Sequence, residues 1–229
     1  MKNIIINADD LGISKEVNTA VKLGHETGII NSTSLIVNMD GFDSAVNEII
    51  PAFPKLNIGV HLNIMEGKSL TNVPLLCDKN GFFNNGYINL ILKSKQKEFI
   101  NQTEQEFRAQ IEKAMKYCKI KHIDSHVHVH AIPEIFNLTL KLAQEYGIKN
   151  IRTQKEIPYI VFSKIFNKKF PVNIIKNILL NIFTDINLKS LKKYPEIKTN
   201  DYFIGVLYTG YMDEKAILNG IRSEERRVG

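Results

Sequence analysis

Cysteine is scarce in this 229-residue chain: only Cys77 and Cys118 occur, far apart and in no C-x-x-C pair. That spacing suggests neither a disulfide framework nor a zinc–thiolate site. No apolar run approaches the roughly 18 residues of a membrane span. The opening Met1-Lys-Asn-Ile-Ile-Ile-Asn is too short an apolar stretch for a signal peptide, so a cytoplasmic protein without a membrane partner is expected. There is no Gly-rich phosphate loop or dinucleotide fingerprint to argue for a nucleotide cofactor, and no G-x-S-x-G elbow. The net charge of +6 comes with no aromatic-plus-basic motif, and its lysines are spread through a chain rich in Asn and Ile, so no nucleic-acid partner is expected. Internal repeats and low-complexity linkers are also missing.

What is present is ordinary in bulk: 44% apolar and 24% charged residues, in a length that suits one α/β domain able to bury a core. Asn3 to Ala8 reads as a buried strand running into Asp9-Asp10-Leu11-Gly12. Ser14 then suits the N-cap of a helix with an inward stripe of Val17, Ala20, Val21 and Gly24, stopped by Gly28. Ser34 to Val37 and Leu56 to Leu62 read as strands, separated by a helix over Gly41 to Ile50 that closes before Pro51. Residues 64–90 read as a long loop with a hairpin-like turn at Lys79-Asn80-Gly81. Further helices are expected over Asn101 to Cys118, Pro133 to Tyr146 and Met212 to Ile221, with short strands at Asn150 to Thr153 and Phe203 to Leu207. The alternation points to a single-domain distorted (β/α) barrel, with an open doubly wound sheet as the other arrangement. It spans 1–221, with a helical insertion or cap at 157–195 and an atypical charged tail at 222–229.

Chemistry concentrates in His122-Ile-Asp-Ser-His-Val-His-Val-His130, which holds four of the six histidines in nine residues. Read as a strand, it puts His122, Asp124, His126, His128 and His130 on one face and Ile123, Val127 and Val129 on the other. Alternate strand residues lie about 6.6 Å apart, so one ion cannot take the whole row. Two other strand ends carry metal-competent groups: Asp9-Asp10, and His61 between Gly59 and Asn63. Strand carboxyl ends converge in parallel α/β folds. Adjacent carboxylates point apart, so one of the Asp pair can ligate a cation while the other takes a proton. An Asp with two His and open positions is a catalytic metal site, for Zn²⁺ by ligand type, with Mg²⁺, Mn²⁺ or Co²⁺ also admitted. Hydrolysis of an amide or ester is the natural reaction class.

Asn7-Ala-Asp-Asp-Leu-Gly-Ile-Ser14, Gly59-Val-His-Leu-Asn63 and the His122–His130 stretch, together with Ser32-Thr33, Asn38, Pro133 and Arg152, resemble the YdjC/ChbG family of carbohydrate deacetylases. The resemblance runs in order from residue 3 to about residue 153. It implies a distorted (β/α) barrel, related in mechanism to NodB-type polysaccharide deacetylases, and removal of acetyl from N-acetylglucosamine units of chitooligosaccharides. It implies that Asp10, His61 and His126 bind one divalent metal (Mg²⁺ or Zn²⁺) and that Asp9 is the general base. His128 and His130 would line the sugar site or support the ligands, as would Asp124 and Asn63, and Arg152 would orient Asp9 or the substrate. The family usually ends in a strand with a His-Pro-Gly motif whose His is a candidate acid. No such motif occurs here, and Arg222-Ser-Glu-Glu-Arg-Arg-Val-Gly229 is expected to be a truncation scar or foreign tail. Two other readings stay open: a barrel metallo-hydrolase or phosphoesterase on another sugar substrate, and a non-catalytic sugar-binding relative. Many barrel enzymes self-associate, and a homodimer is the corresponding expectation.

Overall fold

The computed structural model describes residues 3–228, excluding the side chains of 226–228. Strands β1 (Asn7–Leu11), β2 (Ser32–Leu35), β3 (Asn57–Leu62) and β4 (Ile123–Ser125) form one sheet in the order β1-β2-β3-β4, every pair parallel. Isolated parallel bridges, Ile123 with Ile151 and Asn150 with Lys198, carry the β4 edge further. The α/β class and the parallel sheet are as expected, built on four paired strands among the described residues. Helix α1 (Lys15–Glu26) joins β1 to β2, with the Ser14 hydroxyl accepting from the Val17 amide at 3.3 Å. Its inward face is Asn18 and Val21, while Ala20 is exposed.

The helix after β2 differs from expectation. It runs as α2 (Phe42–Ser44), a π-turn (Ala45–Ile49) and α3 (Ile50–Ala52), so Pro51 lies inside it. Proline lacks an N–H, and here it occupies the first turn of α3, just after the π-turn has shifted the hydrogen-bond register. The long loop contains the expected turn, with the Gly81 amide donating to the Asp78 carbonyl at 3.0 Å, and then an additional helix, α4 (Tyr87–Lys93). Helix α5 (Lys97–Met115) packs Phe99, Phe107, Ile111 and Ala114 into the main core, where they meet Leu35, Val60, Leu62 and Ile123 from the sheet. Helix α6 (Pro133–Glu145) starts on proline, as expected.

Several expected strands are altered, Asn150 to Thr153 making only the isolated bridges and Ser34 to Val37 being replaced by Ser32–Leu35. β1 begins at Asn7 and runs through the Asp pair. The histidine row leaves strand geometry after Ser125 and turns through a 3₁₀ segment, His126–Ala131. Phe203 to Leu207 pairs with no strand, because the amides of Gly205, Val206 and Leu207 all donate to the buried Glu156 carboxylate, at 2.9, 3.0 and 2.8 Å. Helix α7 (Phe170–Leu191) fills most of the expected helical segment, and α8 (Glu214–Val228) continues seven residues beyond Ile221, so the charged stretch is helical through Val228. No helix among the described residues is long and apolar enough to cross a membrane.

Candidate metal centre

The register between β1 and β2 slips: Ala8 pairs with Thr33 and Leu11 with Leu35. Asp9 and Asp10 therefore stand opposite a single residue, a bulge, with Asp10 in the left-handed region at φ 67. A bulge re-aims side chains, and Asp tolerates this backbone better than most residues. The two carboxylates consequently face different partners.

Asp10 turns toward β3 and β4. Its Oδ1 lies 3.2 Å from His61 Nε2 and 2.8 Å from His126 Nδ1. These three ligand atoms all fall within 4.8 Å of one another, one oxygen and two imidazole nitrogens. That donor set fits a small divalent cation with positions left for water and substrate. His61 is locked from behind, its Nδ1 2.6 Å from the fully buried Asp124. Burial opposes a charge on His61, but Asp124 and Asp10 outweigh it and raise its pKa to about 10. Burial likewise opposes ionisation of Asp10, and hydrogen bonds from both imidazoles hold its carboxyl below the usual range.

Asp9 turns the other way. Arg152 Nη1 and Nη2 donate to its two oxygens at 2.6 and 2.9 Å, and the Asn7 amide donates to it at 2.7 Å. Burial opposes its ionisation, yet the Arg152 charge prevails and keeps it a carboxylate. Nη1 also reaches Asp124 Oδ2 at 3.1 Å, and the Ser34 hydroxyl donates to the same oxygen at 2.5 Å. Arg152 thus bridges the carboxylate behind His61 and the carboxylate beside the cluster. Gly59 keeps the neighbouring layer thin, since a Cβ there would run into the His122 ring.

The expected alternation of histidines ends at His126. Val127 and His128 both adopt left-handed backbone, φ 51 and 59, which a strand cannot contain and a β-branched residue rarely adopts. His126 therefore reaches the cluster, while His130 folds beneath it. The Ser125 oxygen accepts the His130 amide at 2.9 Å, the Ser125 hydroxyl donates to Nδ1, and Nε2–H donates to the Arg152 carbonyl at 2.8 Å. Burial lowers the His130 pKa to about 4. His128 sits edge-on to Phe203 at 5.8 Å, and its buried Nδ1 has no hydrogen-bond partner among the described residues. Burial, then the Arg152 charge, lowers its pKa to about 3, so the ring is neutral.

Asn63 does not point into the cluster. It is fully buried, accepts the Met65 and Glu66 amides at 2.9 and 3.2 Å, and shapes its own loop. Two contributors escaped the sequence reading. Ser34 is a small polar residue facing Asp124 from β2, which its register to Gly59 and the sheet order would have suggested. Glu66 lies with Oε1 3.6 Å from His126 Nε2, and only its place three residues after Asn63 hinted at a turn.

The chain matches the family described as YdjC-like protein over residues 3–227. A carbohydrate deacetylase of Brevibacillus brevis is 40% identical over 147 residues, covering 63% of this chain and 57% of that protein. One from Clostridium beijerinckii is 32% identical over 225 residues, 93% of this chain and 84% of that protein. A crystal structure described as a cellobiose-phosphate cleavage protein of Enterococcus faecalis V583 has a TM-score of 0.71 at 24% identity, covering 96% of this chain and 74% of that one. That likeness is one of fold.

Proposed function

This chain belongs to the YdjC-like family, and from that premise we propose that it is a metal-dependent, cytoplasmic hydrolase that removes N-acetyl groups from oligosaccharides containing N-acetylglucosamine. The observation that carries the reading is the meeting of Asp10, His61 and His126 within 4.8 Å, beside a second carboxylate that Arg152 keeps ionised. These three residues would hold one divalent cation, which when bound supplies Lewis-acid polarisation and a lowered pKa for water. The deacetylase names of the two bacterial relatives point to the substrate class.

Asp9 is the general base. Its oxygens are fixed by Arg152 and Asn7, so it meets an attacking water in one orientation, as a carboxylate able to accept the proton. Attack on the acetyl carbonyl gives a tetrahedral centre, whose collapse breaks the C–N bond and releases acetate while the amine takes up a proton. Asp124 holds the His61 Nδ1 proton and so aims Nε2 at Asp10. His128, neutral and with an unpartnered nitrogen, would serve as a hydrogen-bonding group for a sugar hydroxyl.

Acetate release from diacetylchitobiose is the test, with Asp9→Asn and a chelator-treated sample alongside. Loss of roughly 10²- to 10⁴-fold in the variant, and loss on chelation restored by divalent metal, are expected. Undiminished release by Asp9→Asn would remove the base assignment. Hydrolysis of phosphorylated sugars without acetate would replace the reaction class.

A further inference from the structure

His61 and His126 present the same arrangement with the ring nitrogens exchanged. His61 turns Nε2 to Asp10 and gives Nδ1 to the carboxylate of Asp124. His126 turns Nδ1 to Asp10, and the group facing its Nε2 is the carboxylate of Glu66, at 3.6 Å. We propose that Glu66 is the positioning residue for His126: it accepts the Nε2 proton and thereby reserves Nδ1 for the metal. The inference rests on the metal-centre reading above and extends it to a residue outside the ligand set.

The loop is built to deliver this side chain. The Glu66 carbonyl accepts from the Asn63 and Asn38 side-chain amides at 2.7 and 3.1 Å, and its N–H donates to Asn63 Oδ1 at 3.2 Å. Asn63 is itself clasped by Gln110, which accepts its N–H at 2.9 Å and donates to its carbonyl at 2.7 Å. Gln110 donates to Glu106 at 2.8 Å, and Glu106 accepts the Leu70 and Thr71 amides downstream. Asn63, Glu106 and Gln110 are all fully buried. Gly67 completes the turn at φ 77, where a Cβ would run into Met39. Buried polar groups of this kind are costly unless every partner is met. Here they fix the backbone on both sides of Glu66, whose side chain, 57% exposed, remains free to close the last few tenths of an ångström on the ring. Outer partners of metal-bound imidazoles generally set the tautomer and strengthen the ligand. Asp124 does so from the interior, and Glu66 would do so from the mouth of the site.

The experiment is Zn²⁺ titration of the full chain by competition with a chromogenic chelator, comparing wild type, Glu66→Ala, Glu66→Gln and His126→Ala. Solvent exchange of the His126 Nε2 proton is followed by NMR in the zinc-loaded protein. Affinity is expected to fall about 10- to 100-fold in Glu66→Ala, with faster exchange of the Nε2 proton. Glu66→Gln, which keeps an acceptor oxygen, is expected to lie between. Glu66→Ala with wild-type affinity and exchange, while His126→Ala binds weakly, would overturn the role of Glu66 and leave the metal centre standing. Wild-type affinity in His126→Ala as well would remove the metal centre, and the proposal with it.

Discussion

Along residues 7–153 the buried charged side chains gather at strand ends and face one another; along 156–209 the buried polar side chains sit largely on a helix and face the backbone. In the first region Asp9, Asp124, His61 and Arg152 form one connected set of charges, none satisfied without the others. In the second, Asn173 donates to the Leu207 and Thr209 carbonyls, Asn177 and Asn181 to that of Glu156, and Asn187 to that of Ala131. Most buried polar atoms are partnered in both, but among the described residues only the first gathers groups that could hold an ion. Chemistry therefore belongs to the sheet, while α7 acts as a clamp that orders the irregular chain around it.

The sharpest way to break this contrast is Asp124→Ala. The residue is fully buried between Arg152 and His61, so its removal strands two cationic groups in the interior. Breaking a buried pair on one side costs about 3–5 kcal/mol. Urea unfolding should register that loss, and a loss below about 1 kcal/mol would mean that the sheet region tolerates unpaired charge as an ordinary surface does.

Acid should weaken the first region next. His130 is buried neutral, with its pKa lowered to about 4, against about 6.5 in an unfolded chain. Between those values the unfolded state binds the proton and the folded state does not. Its contribution is thus complete above about pH 6.5 and declines as the pH falls toward 4, by about 3 kcal/mol at most. In His130→Gln that component of the pH–stability curve should be absent. A wild-type slope in the variant would assign the acid sensitivity elsewhere.

In the second region, Glu156→Gln replaces one carboxylate oxygen by an NH2 group that cannot accept, so at least one of the Gly205, Val206 and Leu207 amides loses its acceptor. Leaving buried donors unmet costs about 2 kcal/mol. Amide exchange at 205–207 should quicken while exchange in β2 and β3 stays slow, which would separate clamp from sheet. Equal quickening in both would merge them.

The same contrast explains what could be read in the sequence. Asp9-Asp10, His61 and His126 were legible as a group because strand ends in a parallel sheet converge whatever the details of the helices. Asp124 and Arg152 were legible for the same reason. The turn at Val127-His128 was not, because β-branched residues alternating with histidines match a strand, while the observed turn is closed by Ser125 bonding His130 across it. Glu106 and Gln110 read as polar positions on α5, yet both are buried to hold a loop some 36 to 47 residues away in sequence. No local pattern encodes such a partner. The expected strand at Phe203 to Leu207 failed likewise, the Gly205, Val206 and Leu207 amides being taken by one side chain rather than by a neighbouring strand.

Helix α7 is the extreme case, because asparagines share its buried face with Leu180 and Phe183 while isoleucines face outward. Asn173, Asn177, Thr184 and Asn187 are buried, while Ile175, Ile178, Ile182 and Ile186 are 68, 51, 52 and 43% exposed. A hydrophobic-stripe reading would bury the isoleucines. The helix face that touches the protein must instead supply donors, since the chain it orders offers carbonyls that no strand satisfies. Ile182→Lys therefore tests this arrangement at its weakest point. A lysine on an exposed helix face has high helix propensity, and its charge remains hydrated. Unfolding free energy should change by no more than about 0.5 kcal/mol, at dilute and concentrated protein alike. A concentration-dependent loss above about 1 kcal/mol would show the isoleucine face covered by another copy in solution. The outward isoleucines would then be core of an assembly, and the helix would cease to be an exception.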